Sequence, residues 1–135
     1  MKQGDKFKVP FTVTYDVFYG FRNTFKQENP FHTDDDICRA RGYKEKIMPG
    51  NMLSGFVSQF VGEHLPLKDV LFHTLNINFL LPVYLNDRLE LNTEIVYCSE
   101  SIPVYEFKGY FRNQDGGKVA KFNIQLGIIK NAQPI

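Results

Sequence analysis

A chain of 135 residues, 43% hydrophobic and 23% charged, is long enough for one well-filled core and too apolar for disorder. Its 16 Lys and Arg against 15 Asp and Glu leave a net charge of +1, and the cations are scattered along the sequence. Such a balance gives no reason to expect nucleic acid or an anionic membrane as partner.

The first residues, Met1-Lys2-Gln3-Gly4-Asp5, lack the apolar core of a signal peptide. No run approaches the roughly 18 apolar residues that would span a bilayer. A single domain over 1–135, located in the cytoplasm, is therefore expected. Phe7, Val9, Phe11 and Val13 alternate with polar residues as a strand, and Pro10 on the outward face marks a sheet edge. Thr14 can cap a helix bearing Val17, Phe18, Phe21 and Phe25, although Gly20 weakens that helix by about 1 kcal/mol relative to Ala. A turn follows around Gln27 to Pro30, where Pro30 drives Asn29 out of the helical region.

Thr33-Asp34-Asp35-Asp36 predicts a helix start with Thr33 as N-cap, acids in the first turn, and Arg39 and Arg41 at the far end. No spaced ligand set accompanies these acids, so neither a metal nor a cofactor is expected. Pro49-Gly50-Asn51 opens a deeply buried helix with Leu53, Phe56, Val57 and Phe60 on one stripe, widened by Met52 and Val61 and ending near Gly62–His64. Strands are then predicted over 71–81, 88–97, 104–112 and 118–130, with a bend at 82–87 and a hairpin turn at Asn113–Gly117. A long helix followed by hairpin-connected strands is an α+β pattern in which one antiparallel sheet wraps the helix. Such a sheet commonly pairs with another copy. Cys38 and Cys98 are far apart, with no CxxC and no His at metal spacing, and read as free structural thiols. The 13 Phe residues would serve a core and an aromatic-lined acyl pocket equally well.

Two residues stand out chemically. His32 follows Asn29-Pro30 in a turn whose backbone can aim a side chain, and an imidazole can take or give a proton near neutral pH. Gly50, at the start of the buried helix, would let a substrate approach the backbone, where an N–H and the helix field stabilise charge on a carbonyl oxygen. His64 and His73 have no partner spacing, and Gly116-Gly117 precedes no helix and is a turn.

Gln27-Glu28-Asn29-Pro30-Phe31-His32, then Asp34, then Ile47-Met48-Pro49-Gly50 resembles, in unbroken register, the Asp-x-Asn-Pro-x-His and Ile-x-His-Gly pattern of the MaoC-like, (R)-specific enoyl-thioester hydratases. Phe79-Leu80-Leu81-Pro82-Val83-Tyr84-Leu85-Asn86-Asp87-Arg88-Leu89 is similar to that family's Phe-x-x-Pro-Val-x-x-Gly-Asp-x-Leu. The likeness runs from about Thr14 to Ile95. It implies the hot-dog fold, an antiparallel sheet wrapped around a long central helix. It also implies hydration of an enoyl thioester of CoA or acyl carrier protein, or the reverse dehydration, in a homodimer or higher homo-oligomer. Carried over residue by residue, His32 matches the catalytic histidine, Gly50 the oxyanion-binding glycine and Ser58 a serine supporting the pocket.

Two positions depart from the pattern. Gln27 stands where the family has its catalytic aspartate, and Pro49 replaces the histidine before the glycine. An amide can position a water but cannot accept its proton. Losing a general base costs about 10²–10⁴-fold in rate. Glu28 is the adjacent acid, but neighbours in an extended turn point to different sides; Asp34 matches an acid the family already has. Met48-Pro49-Gly50 also resembles the carrier-protein dehydratases of the same fold, whose helix glutamate would fall at Gly55. The alternatives are a silent acyl-thioester-binding subunit, paired with a catalytic homologue in a heterodimer, and a hot-dog thioesterase.

Overall fold

The alternation at Phe7, Val9 and Phe11 forms β1 (Lys6–Thr12) in the computed structural model, which describes residues 1–131, so the last residues of the expected domain lie outside it. Val9 and Phe11 are buried while Pro10 faces outward opposite Glu90. β1 is an edge strand, as Pro10 predicted, because the ring removes a donor that an interior strand would need. Thr14 caps α1 (Tyr15–Thr24) by accepting from the Val17 N–H at 3.2 Å. Phe18 is fully buried, but the apolar stripe stops short of Phe25, which lies beyond the last turn and is exposed, its ring tilted against Phe21.

The cap of α2 (Asp35–Ala40) is Asp34, one residue later than predicted. Its carboxylate accepts from the Asp36 and Ile37 amides at 2.9 and 3.1 Å. Thr33 is unavailable because it closes the preceding 3₁₀ turn, Pro30–His32, with its N–H on the Pro30 carbonyl and its hydroxyl on Asn29. The central helix α3 (Met52–Gln59) runs on through a π turn, Phe60–His64. Leu53, Phe56, Val57 and Phe60 are buried as the spacing required, each side chain worth about 1.5–3 kcal/mol on leaving water. Phe56 stacks on Phe11 at 4.8 Å, and Phe60 meets Phe7 and Phe107 edge-on, which ties α3 to β1 and to the middle of the sheet.

The remaining strands are β2 (Val70–Phe79), β3 (Arg88–Ser99), β4 (Val104–Arg112) and β5 (Lys118–Ile128), all antiparallel to their neighbours in the order β1-β3-β4-β5-β2. β2 and β3 are therefore not a hairpin, contrary to the expectation. The segment 80–87 carries the chain from one side of the sheet to the other. It is pinned by Asp87, 6% exposed, whose carboxylate accepts from the Tyr84 amide and the Gln114 side chain, both at 2.9 Å. The backbones of Val13, Asn86 and Asp87 complete the anchor, with Asn86 in the left-handed region at φ 71°.

β2 differs from its sequence pattern in a second way. Leu75, Ile77 and Phe79 lie opposite Ile124, Phe122 and Ala120, which are buried, yet Leu75 is 38% and Phe79 53% exposed. They share the inner face of the sheet, but β2 is its edge and the helix layer does not reach across them.

In β4, a methyl group on Gly109 would run into the Asn92 carbonyl oxygen and the Phe122 ring. A backbone oxygen in a paired strand cannot swing aside. Gly109→Ala should lower the free energy of unfolding by about 1–3 kcal/mol, read as a lower urea midpoint at unchanged slope.

Candidate active site

Pro30 holds Asn29 extended (φ −57°, ψ 131°), and the Asn29 side chain accepts from the Phe31 N–H at 2.9 Å. The His32 N–H returns to the Asn29 carbonyl at 2.8 Å, so the Asn-Pro-Phe-His turn is closed internally and presents the imidazole to the segment 46–48. There His32 Nδ1 lies 2.8 Å from the Ile47 carbonyl oxygen. A carbonyl only accepts, so Nδ1 carries the proton and Nε2 is the open nitrogen of the neutral ring. The Ile47 N–H donates to the Phe31 carbonyl at 2.7 Å and the Met48 N–H to Val83 at 2.7 Å, which stitches this segment between the histidine turn and the crossover loop. Cys38, buried and free, donates its thiol to the same Phe31 carbonyl at 3.2 Å.

Gly50 precedes α3, and its carbonyl and that of Pro49 take the Leu53 and Met52 amides. Among the described residues the Gly50 and Asn51 N–H groups donate to no protein acceptor. They are the open donors at the positive end of the helix. Asn51 occupies the cap position without capping, so among the described residues its side-chain amide is also uncommitted.

These groups meet in a cavity of about 500 Å³. His32, Ile47, Met48, Gly50, Asn51 and Leu53 form one wall, and Tyr43 with Phe79 through Val83 completes it. The lining is mainly apolar with a few convergent polar groups, the usual build of a small-molecule site. Phe79 covers Gly50 so closely that a Cβ there would lie 3.1–3.3 Å from its ring carbons.

Of the residues singled out in the sequence, His32 and Gly50 share this cavity. Asn29 builds the turn beneath His32, and Pro49 is buried outside the lining. Gln27 and Glu28 lie between α1 and the 3₁₀ turn, half-buried and exposed respectively, and neither lines the cavity. Ser58 is exposed on α3, also outside it. Tyr43 and Asn51 escaped the sequence reading. Tyr43 carried no signal; Asn51 could have been noticed as a polar side chain directly after Gly50.

The acidic triplet has structural partners. Asp34 caps α2, and Asp36 lies 3.7 Å from Arg39. Asp35 accepts the Lys46 N–H at 2.9 Å, and its Oδ1 is 3.6 Å from the Lys46 ammonium. That backbone donor is the main reason its carboxyl sits below the usual range; burial opposes it, while the charges of Lys46 and Arg39 assist. Among the described residues no three His, Cys, Asp or Glu side chains are grouped to hold a metal ion. No described helix is long and apolar enough to cross a membrane.

The family model for the MaoC like domain matches residues 1–104. The chain belongs to the MaoC-like domain family. The (R)-specific enoyl-CoA hydratase of Rhodospirillum rubrum is 25% identical over 107 residues, 79% of this chain and 72% of that protein. Among solved structures, an (R)-hydratase from A. caviae superposes with a TM-score of 0.86 at 19% identity, over 96% of this chain and 98% of that one. The C-terminally truncated HadBC complex of Mycobacterium tuberculosis, a 3R-hydroxyacyl-ACP dehydratase, gives 0.71 at 18% identity over 92% and 96%. The structural likeness shows the fold: an α+β hot-dog, as the sequence motifs implied.

The nearest atoms to a Cβ at Gly50 belong to the exposed Phe79 ring, which can rotate away, so Gly50→Ala should cost no more than about 1 kcal/mol of stability, at the low end for overpacking. Thermal or urea unfolding of the variant beside wild type checks this.

Proposed function

We propose that the protein is an acyl-thioester hydratase or dehydratase, adding water across an enoyl thioester of CoA or acyl carrier protein, or removing it from a 3-hydroxyacyl thioester. The observation that carries the reading is the pairing, in one apolar cavity, of an imidazole with its Nε2 open and a helix-start amide with no acceptor. In hydration, Nε2 of His32 takes a proton from water as the water oxygen bonds to C3. The charge that moves onto the thioester oxygen is met by the Gly50 N–H, and the proton returns from Nε2 to C2. Dehydration is the same path reversed. The apolar wall from Phe79 to Val83 suits an acyl chain.

In this scheme His32 is the single base. Gln27, in place of the family's aspartate, takes no proton. Asn29 stiffens the histidine turn, Glu28 is the acid next to Gln27, Pro49 sets the helix start without a side chain in the site, and Ser58 stays outside the cavity. A second reading, a silent thioester-binding subunit joined to a catalytic homologue, is favoured specifically by Gln27. For assembly, we place a second copy against β2, whose outer edge has no strand partner among the described residues and whose Leu75 and Phe79 are bare.

Hydration of enoyl thioesters by the purified protein, followed as loss of the conjugated double bond, tests the reaction. His32→Ala should reduce kcat/KM by about 10²–10⁴-fold, and Gln27→Asp should raise kcat. Turnover without thiol release separates hydration from thioester hydrolysis; a folded protein that binds acyl-CoA yet turns over only beside a homologue would establish the silent subunit. Light scattering should give a dimer, and Leu75→Lys should shift it toward monomer.

A further inference from the structure

We propose that Asp35 is a positioning residue for His32, holding in place the carbonyl that fixes which imidazole nitrogen carries the proton. The inference rests on His32 acting as the base, and it adds a residue outside the cavity to that machinery. The segment from Lys46 to Met48 belongs to no helix or strand. It is held by the Lys46 N–H on Asp35 at 2.9 Å, the Ile47 N–H on Phe31 at 2.7 Å, His32 Nδ1 on the Ile47 carbonyl at 2.8 Å, and the Met48 N–H on Val83 at 2.7 Å. Of these acceptors only Asp35 is charged, and a charged acceptor makes roughly twice as strong a bond as a neutral one.

Asp35 and Asp36 both occupy the first turn of α2, where either could simply face water and favour the helix dipole. Asp36 does so, with 96% of its side chain exposed, whereas Asp35 is turned inward, 36% exposed, onto the Lys46 backbone. Its ion pair with the Lys46 ammonium, at 3.6 Å and partly in solvent, is the weaker part of the contact. The backbone bond is what ties down the start of the segment. One residue on, the Ile47 carbonyl accepts from His32 Nδ1, and the Ile47 N–H in the adjoining peptide unit donates to Phe31. If the Lys46 anchor is lost, only the two neutral acceptors Phe31 and Val83 hold the segment, and the Ile47 carbonyl is less firmly presented to Nδ1–H. A free neutral imidazole prefers the proton on Nε2, the nitrogen that must stay open for proton abstraction.

The test is ¹⁵N NMR of His32 in the full chain without substrate, at a pH where the ring is neutral. Wild type should show a protonated Nδ1 and a bare Nε2. Asp35→Ala should move the proton toward Nε2 and lower kcat by about 10–10²-fold at little-changed KM, the cost of a misplaced catalytic group. Asp35→Asn keeps an acceptor oxygen and should retain the wild-type tautomer, as should Lys46→Ala, which keeps the backbone N–H. An unaltered His32 signature in folded Asp35→Ala overturns the proposal. Where Asp35→Ala does not fold, amide exchange decides: with the weaker neutral acceptor of Asp35→Asn, the Lys46 N–H should exchange faster than in wild type, and equal exchange overturns the proposal. The tautomer is read without turnover, so an inactive wild type would count against the hydratase reading and leave this test intact.

Discussion

The hydrogen bond from His32 Nδ1 to the Ile47 carbonyl, 2.8 Å long, is the contact on which the rest of the site depends. It joins the Asn-Pro-Phe-His turn to the segment that leads into Pro49 and Gly50, so one bond sets both the tautomer of the imidazole and its spacing from the helix-start amide. Its acceptor is itself held from both directions, by Phe31 through the Ile47 N–H and by Val83 through Met48. An imidazole whose tautomer is fixed in the resting protein need not rearrange before a proton transfer, which is the advantage of a preorganised site.

The architecture explains why the cavity lies where it does. α3 fills the centre of the sheet with Phe56 and Phe60 against Phe11, Phe7 and Phe107, and its N-terminal end comes up beside Phe79 at the β2 edge. There the packed core gives way to uncovered apolar side chains, and the crossover loop held by Asp87 supplies the opposite wall. Phe79 rests directly over the Cα of Gly50, so the same glycine that leaves a backbone amide open also admits an aromatic wall next to it. With Gln27 and not a carboxylate at position 27, the proposed role of His32 as base places more weight on the groups that orient it.

What could be read from the sequence was local. The Asn29-Pro30 turn, the Thr14 cap, the edge position of Pro10 and the buried stripe from Leu53 to Phe60 all follow from residues within one or two turns of each other. The family motifs then brought His32 and Gly50 together, although they are separated by a whole helix. Contacts decided by distant chain segments were not legible. The bend at 82–87 looks the same whether it closes a hairpin or crosses the sheet, because Asp87 acts through Val13 and Gln114, which are remote in sequence. The bare face of β2 alternates as a buried strand would, since alternation reports which side a residue takes and not whether anything covers it. Tyr43 reaches the cavity from a loop without periodicity, and Asp34 took the cap from Thr33 because the preceding turn had already engaged that residue.

The central claim is that this cavity moves a water on and off an acyl thioester with His32 as its base. The most direct measurement is incubation of the purified protein with an enoyl-CoA in ¹⁸O-labelled water, followed by mass spectrometry of the product. The account predicts one ¹⁸O at C3 of a 3-hydroxyacyl thioester, with the thioester intact and no free thiol. A folded protein that binds the thioester and leaves C3 unlabelled, or that releases CoA with the label in a carboxylate, would contradict it.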